Sequence, residues 1–410
     1  MYRRICSLLL LSTAFAAGCR STDTTAVSTY AEAAVLCEKV LPVTGTFLNL
    51  AYQDVRNKYT NPLGPDNTDP ALWRAKVSEM KKMGMEYLVL MAVANEGQSY
   101  YPSKLMPWVY NPALKSPVDA IMDAAAEHGM KVFMSTGWAK DQDDNLRDPK
   151  IKGRQIEMMT ELAEIYGGHP ALYGWYLPVE DCFGPVLTDY AVEAVNALTA
   201  RARELTPHAK IMISPYGIFN SNFDDPRYEQ QIARLIERDC KIDIVGLQMH
   251  LFNPQSCVDI ANGANIQTPQ GVRKMIENFK ELKLPLHLSE ITITSPSADD
   301  KGYMIQAIIT QNLYRLWFSM EYMMGITWWN VVDNCGAKGE PSTSGLFFRD
   351  MREKPVYHAM NNLINNEWTT RLTIKADKQG KVSFRGFKGK YRITWTDKSG
   401  HEQSMEYNLE

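Results

Sequence analysis

The 410 residues contain no Gly-x-Gly-x-x-Gly fingerprint and no Gly-x-x-x-x-Gly-Lys-Ser/Thr phosphate loop. That argues against a nucleotide-binding doubly wound sheet. The seven His form no His-x-His or His-Glu-x-x-His cluster, and the seven Cys no Cys-x-x-Cys. Neither a metal site nor any other cofactor is therefore expected. Asp141-Gln-Asp-Asp144 is acidic but lacks the spacing of a calcium-binding hand. Charge of one sign is missing too: 44 Lys and Arg face 47 Asp and Glu, net −3, with no basic stripe. Nothing marks a nucleic acid as partner. Long apolar runs are also lacking, apart from one near the start.

That run is informative. Arg3 and Arg4 precede an apolar stretch over 5–17, which leads into Ala16-Ala17-Gly18-Cys19. A basic start, a short apolar core and small residues make a secretory signal, too short to span a bilayer. The Cys after Ala-Ala-Gly resembles a bacterial lipobox, with Ala16 where such boxes usually carry Leu. Residues 1–19 are thus expected to be a lipoprotein signal with Cys19 as the lipidated residue. The protein is then exported and held at the bacterial cell envelope (outer membrane or periplasm), meeting the membrane only through that lipid. Residues 20–30 are polar, as a tether should be, and 20–43 is read as tether plus N-terminal helix. A monomer is expected.

The rest is ordinary globular sequence, with 45% hydrophobic and 22% charged residues. From Thr44 a short β-branched or aromatic run alternates with an amphipathic stretch. The runs lie at 45–51, 87–93, 131–138, 172–180, 210–217, 242–250, 285–292 and 325–332. In 116–129, Val118, Ile121, Met122 and Ala125 recur at helical spacing. Strands alternating with helices imply a parallel sheet, and eight of them imply a closed (β/α)₈ barrel over 44–367. Segments 370–375, 381–386, 390–396 and 403–409 are separated by turn signals such as Asp377-Lys-Gln-Gly. They predict a small C-terminal antiparallel β-module over 368–410.

Barrel enzymes carry their chemistry at the carboxyl ends of strands. The fourth run ends at Glu180, the sixth at Gln248 and His250, the seventh at Glu290 and the eighth at Trp328 and Trp329. The second ends at Asn95-Glu96 and the third at Trp138. One Glu at a strand end is most often a solvated or ion-paired surface group. A pair on the fourth and seventh strands faces across the mouth, as glycoside hydrolysis requires, and a spacing of about 5–5.5 Å gives retention. Asn95, Glu96, Trp138, Trp108 and Tyr216 are further candidates for lining a sugar cleft.

Several segments resemble family 10 of the glycoside hydrolases, a clan A family of xylanases. Trp175-Tyr-Leu-Pro-Val-Glu180 is similar to its acid/base motif, Gln248-Met-His250 to its Gln-x-His, and Ser289-Glu290-Ile291 to its nucleophile motif. Trp329 with Asp333, and Gly345-Leu-Phe-Phe with Lys354-Pro-Val-Tyr357, resemble its closing segment. The likeness covers about 170–395. It implies a metal-independent retaining hydrolase of a polysaccharide or complex glycan, with Glu180 as acid/base and Glu290 as nucleophile. His250 and Gln248 would then hold Glu290, and Trp329 would floor the subsite. Val179 stands where such enzymes have Asn, and Ile291 where many have Leu followed by Asp. The alternative is a non-catalytic glycan-binding lipoprotein on a glycosidase-derived barrel.

Overall fold

The computed structural model describes residues 4–9, 32–41, 43–48, 50, 69–91, 93–95, 97–137, 149–178, 188–213, 227–264, 268–336, 339–378, 380–397 and 399–409. Eight parallel strands close into a barrel in chain order. They are β1 (Val43–Phe47), β2 (Tyr87–Leu90), β3 (Lys131–Met134) and β4 (Leu172–Tyr176), then β5 (Lys210–Ile213), β6 (Ile244–Leu251), β7 (Leu286–Ile293) and β8 (Met323–Trp328). Strand β7 is buried along its whole length, as expected of a sheet covered by helices on one face and filled on the other.

The helices read as the periodicity predicts. Helix α1 spans Pro70–Lys82, α2 Pro117–Glu127, α3 Pro149–Tyr166, α4 Asp189–Leu205 and α5 Arg227–Glu237. Two shorter ones, α6 (Pro254–Ala261) and α7 (Pro269–Glu277), precede α8 (Asp300–Phe318) and α9 (Pro355–Asn362). In α2 the four apolar positions are buried. Pro117 sits in its first turn and the Ser116 hydroxyl accepts from the Asp119 amide at 3.0 Å, satisfying an otherwise orphaned donor.

Inside the barrel, large rings lie over glycines on neighbouring strands. A Cβ on Gly45 of β1 would meet the Tyr87 ring at 2.6 Å, and one on Gly174 of β4 the Phe133 ring at 2.7 Å. One on Gly325 of β8 would come within 2.3 Å of His287. The three rings pack on one another, His287 lying 5.8 Å from Tyr87 and 6.1 Å from Phe133. Large beside small fills a closed barrel at core density.

The chain divides into two compact units, Val43–Leu363 and a second made of Met1–Pro42 with Ile364–Glu410. The module differs from expectation at its N-terminal end: the stretch read as a helix holds a strand, Glu32–Val40. That strand lies between Arg371–Lys375 and Gly389–Thr396, whose other neighbour is Glu402–Leu409. Ala33 and Val35 reach its core beside Val382, Phe384, Tyr391 and Ile393. Glu-Ala-Ala-Val-Leu has good helix propensity, but alternate burial against a sheet outweighs a propensity of a few tenths of a kcal/mol per residue. Residues Arg4–Leu9 pair antiparallel with Lys381–Gly386. Among the described residues no helix is long and apolar enough to cross a membrane.

Candidate active site

Neighbouring strands β6 and β7 bring the predicted residues together. Past an irregularity between Leu247 and Gln248, Gln248 pairs in register with Glu290 and His250 with Thr292. Residues two apart on a strand share a face, so Gln248 and His250 meet Glu290 and Thr292 side by side. Glu290 is 3% exposed. Its Oε2 accepts from the Gln248 amide at 3.3 Å, and its Oε1 lies 3.3 Å from His250 Nε2. Burial first, and then the negative charge of Glu340, push its carboxyl well above the usual carboxylate range.

The other side of His250 decides where its protons sit. Nδ1 is 2.9 Å from the Thr292 hydroxyl, and that hydroxyl lies 3.2 Å from the Trp329 carbonyl. A carbonyl only accepts, so the single hydroxyl proton goes to it and Thr292 Oγ accepts from Nδ1–H. With Nδ1 carrying hydrogen, one further proton bridges Nε2 and Glu290 Oε1. In a buried site flanked by a second carboxylate, the uncharged arrangement, a carboxylic acid against a neutral imidazole, is the favoured resting form. Phe252 stacks flat on the imidazole, 4.3 Å between centroids, and covers one of its faces.

The loop after β8 completes the wall. Trp329 is 2% exposed, joined to Asn330 by a cis peptide, and meets Phe47 of β1 edge to face at 5.1 Å. Its indole N–H donates to Glu340 at 2.8 Å. The Asn330 amide donates to the Val332 carbonyl at 2.8 Å and accepts from the Gly336 amide at 3.1 Å, which folds the loop back on itself. A Cβ at Gly336 would come within 2.3 Å of the Glu340 carboxylate. Further along, Asp333 accepts from the Gly345 amide at 2.8 Å and from the wholly buried Lys354 at 2.9 Å.

Trp328 is not part of this surface, contrary to expectation. It is fully buried, its indole N–H donates to the Asn330 carbonyl, and its ring lies 6.3 Å from Tyr314 of α8. Successive strand residues point to opposite faces, so Trp328 joins the helix layer and Trp329 the mouth. Asn95 is buried in a short pairing of Ala94–Asn95 with Gln98–Ser99 beyond β2. Trp108, in the same β2–α2 connection, is 43% exposed, stacks on Tyr110 at 5.5 Å and donates to the Ser103 carbonyl at 2.7 Å. His287 lies inside the barrel, where burial lowers its pKa to about 4. Glu180, Glu96, Trp138, Tyr216 and Cys19 lie outside the described residues.

Sequence reading missed two groups. Thr292 had a signal, since it stands two residues past Glu290 and so shares its face. Glu340 had none, lying in a loop whose course only the fold decides.

The fold is a closed eight-stranded parallel barrel with a buried glutamate, Glu290, on its seventh strand. The family model described as "Glycosyl hydrolase family 10" matches residues 183–363. A second model, "Domain of unknown function (DUF4434)", matches residues 43–258, more than half of the chain. The chain belongs to the DUF4434 family. Among curated relatives it is 26% identical over 211 residues to endo-1,4-beta-xylanase C of Paenibacillus barcinonensis, covering 47% of this chain and 18% of that enzyme. It is 25% identical over 213 residues to anti-sigma-I factor RsgI6 of Acetivibrio thermocellus, covering 51% of this chain and 25% of that protein. These matches thus span a quarter or less of the relatives' length. Native xylanase 10B from Thermotoga maritima superposes with a TM-score of 0.56 at 15% identity, over 80% of this chain and 95% of that one. That likeness is one of fold.

Proposed function

We propose that this protein is a metal-independent retaining glycosidase that cleaves a polysaccharide or complex glycan, with Glu290 as nucleophile and Glu180 as acid/base. The observation that carries the reading is the setting of Glu290. It sits at the carboxyl end of a barrel strand, buried, with one oxygen bound by Gln248 and the other facing His250. A nucleophile needs one defined lone pair aimed at the anomeric carbon, and fixing both oxygens aims it.

In the first step the Glu290 carboxylate forms a bond to the anomeric carbon, and the bond to the leaving oxygen breaks as Glu180 donates a proton to it. In the second, Glu180 takes a proton from water, which displaces Glu290 and restores the original configuration. As attack begins, the proton between Glu290 and His250 moves fully to Nε2. The imidazolium then balances the carboxylate that departs again at the end. Trp329 closes the floor beside the reacting sugar. The Ala16-Ala17-Gly18-Cys19 sequence supports lipidation at Cys19 and a place on the cell envelope.

The test is a panel of polysaccharides with purified protein, Glu180→Ala serving as blank. The Glu290→Gln variant should lose turnover, and Glu290→Ala should regain it with azide, yielding a glycosyl azide. Undiminished activity in Glu290→Gln would end the assignment. A product of inverted anomeric configuration, read by proton NMR, would end the retaining mechanism. Binding of a glycan with no turnover would leave a carbohydrate-binding protein.

A further inference from the structure

The connections after β7 and β8 also border an open, solvent-facing pocket of about 370 Å³, of the size that holds a small ligand. Tyr303, from the first turn of α8, and Phe348 form its apolar side, packed edge to face at 5.0 Å. Lys354 lies behind them, 5.2 Å from the Tyr303 ring and 5.9 Å from that of Phe348. Asn334 and Ser342 supply an amide and a hydroxyl.

Of the charged residues that line the cavity all but Arg349 are paired, while Asp299 and Asp300 at the start of α8 add negative charge near Tyr303. Asp333 is neutralised by Lys354 at 2.9 Å, and Asp350 by Arg352 at 2.6 Å. Arg349 also lines the cavity, and among the described residues it makes no hydrogen bond or ion pair. A guanidinium is a planar fork of donors that matches a carboxylate bidentately. Two rings, two uncharged polar groups and one uncommitted guanidinium thus line a cavity on the connections that follow Glu290 and Trp329.

We propose that this cavity is a subsite for a carboxylate-bearing sugar, a uronic acid carried by the glycan, with Arg349 reading the carboxylate. The rings receive the apolar face of the pyranose, and Asn334 and Ser342 receive hydroxyls. Arg349 is exposed and stays hydrated without an anion, so the pocket favours a uronate by an ion pair that it gains there and that a neutral sugar does not. The proposal narrows the substrate class of the glycosidase reading above and rests on it for its role in catalysis, though not for the binding itself.

The experiment has two arms. In the first, the full chain and Arg349→Ala are titrated with glucuronate, galacturonate, glucose and acetate, with binding followed by saturation-transfer NMR. Uronate binding should exceed that of glucose and of acetate by roughly tenfold and be lost in Arg349→Ala. Equal binding of glucose would overturn the proposal. So would equal binding of acetate, which would mean a mere anion site, or uronate binding that survives in the variant. In the second arm, turnover of glucuronoxylan is compared with that of the same polymer after reduction of its carboxyl groups. A preference for the acidic polymer that Arg349→Ala erases, without loss on the reduced one, supports the subsite. Uronate binding with no turnover of any polymer would keep the site and sink the glycosidase reading. Turnover with no uronate binding would sink the site alone.

Discussion

The indole N–H of Trp329 donates to Glu340 at 2.8 Å, and the charge of that same carboxylate is, after burial, what raises the pKa of Glu290. One loop glutamate thus holds Trp329 in place and adds to the effect of burial on the residue proposed to attack.

Glu340→Gln should uncouple these two roles. Glutamine still accepts from the Trp329 indole but carries no charge, so Glu290 ionises at lower pH. A nucleophile must be ionised, and the acidic limb of kcat/KM against pH should move downward while the basic limb stays. A limb that does not move would show that Glu340 is too well screened to matter.

Thr292 is predicted to set the tautomer of His250. Thr292→Val removes the acceptor from Nδ1–H, at a cost of about 1–3 kcal/mol if that buried donor stays unpaired. The ring can avoid this by releasing that hydrogen to solvent while the proton shared with Glu290 settles on Nε2, where it donates to the Glu290 carboxylate. Nitrogen-15 NMR, with His250→Asn as the assignment control, should read Nδ1–H in the parent chain and Nε2–H in the variant. Nε2–H in a neutral His250 of the parent chain would refute the arrangement.

Lys354 and Asp333 form a buried ion pair whose value lies in completeness. Lys354→Met should destabilise the protein by roughly 3–5 kcal/mol, because it strands a buried carboxylate. The double variant with Asp333→Leu should recover much of that loss. Urea unfolding of both variants checks it, and equal losses in both would mean that packing, not charge, holds this loop.

His287 makes the barrel interior sensitive to acid. Its pKa falls from 6.5 unfolded to about 4 folded, through burial alone. Folding must then exclude a proton that the unfolded chain binds below pH 6.5. The neutral-pH stability is fully present above 6.5 and is lost as pH falls toward 4, by roughly 3 kcal/mol. In His287→Leu the urea midpoint should fall less between pH 7 and pH 4.5 than in the parent chain. Equal falls would assign the acid sensitivity to other groups.

Where the chain repeats one pattern many times, the sequence was enough. Eight apolar runs separated by amphipathic stretches leave a closed parallel barrel as the arrangement that buries them all, and each of β1 through β8 overlaps one of those runs. Gln248, His250, Glu290 and Trp329 were legible for the same reason, since chemistry on a barrel gathers at strand ends. Tertiary structure alone decided the rest. Residues 32–40 became a strand because a sheet needed one, against their own local preference. Trp328 and Trp329 look alike in sequence and were parted by the alternation of strand faces, one to the helix layer and one to the mouth. Glu340 reached Glu290's surroundings only because Asn330 and Gly336 fold their loop back. Such a position depends on contacts between segments distant in the chain, which local sequence does not encode.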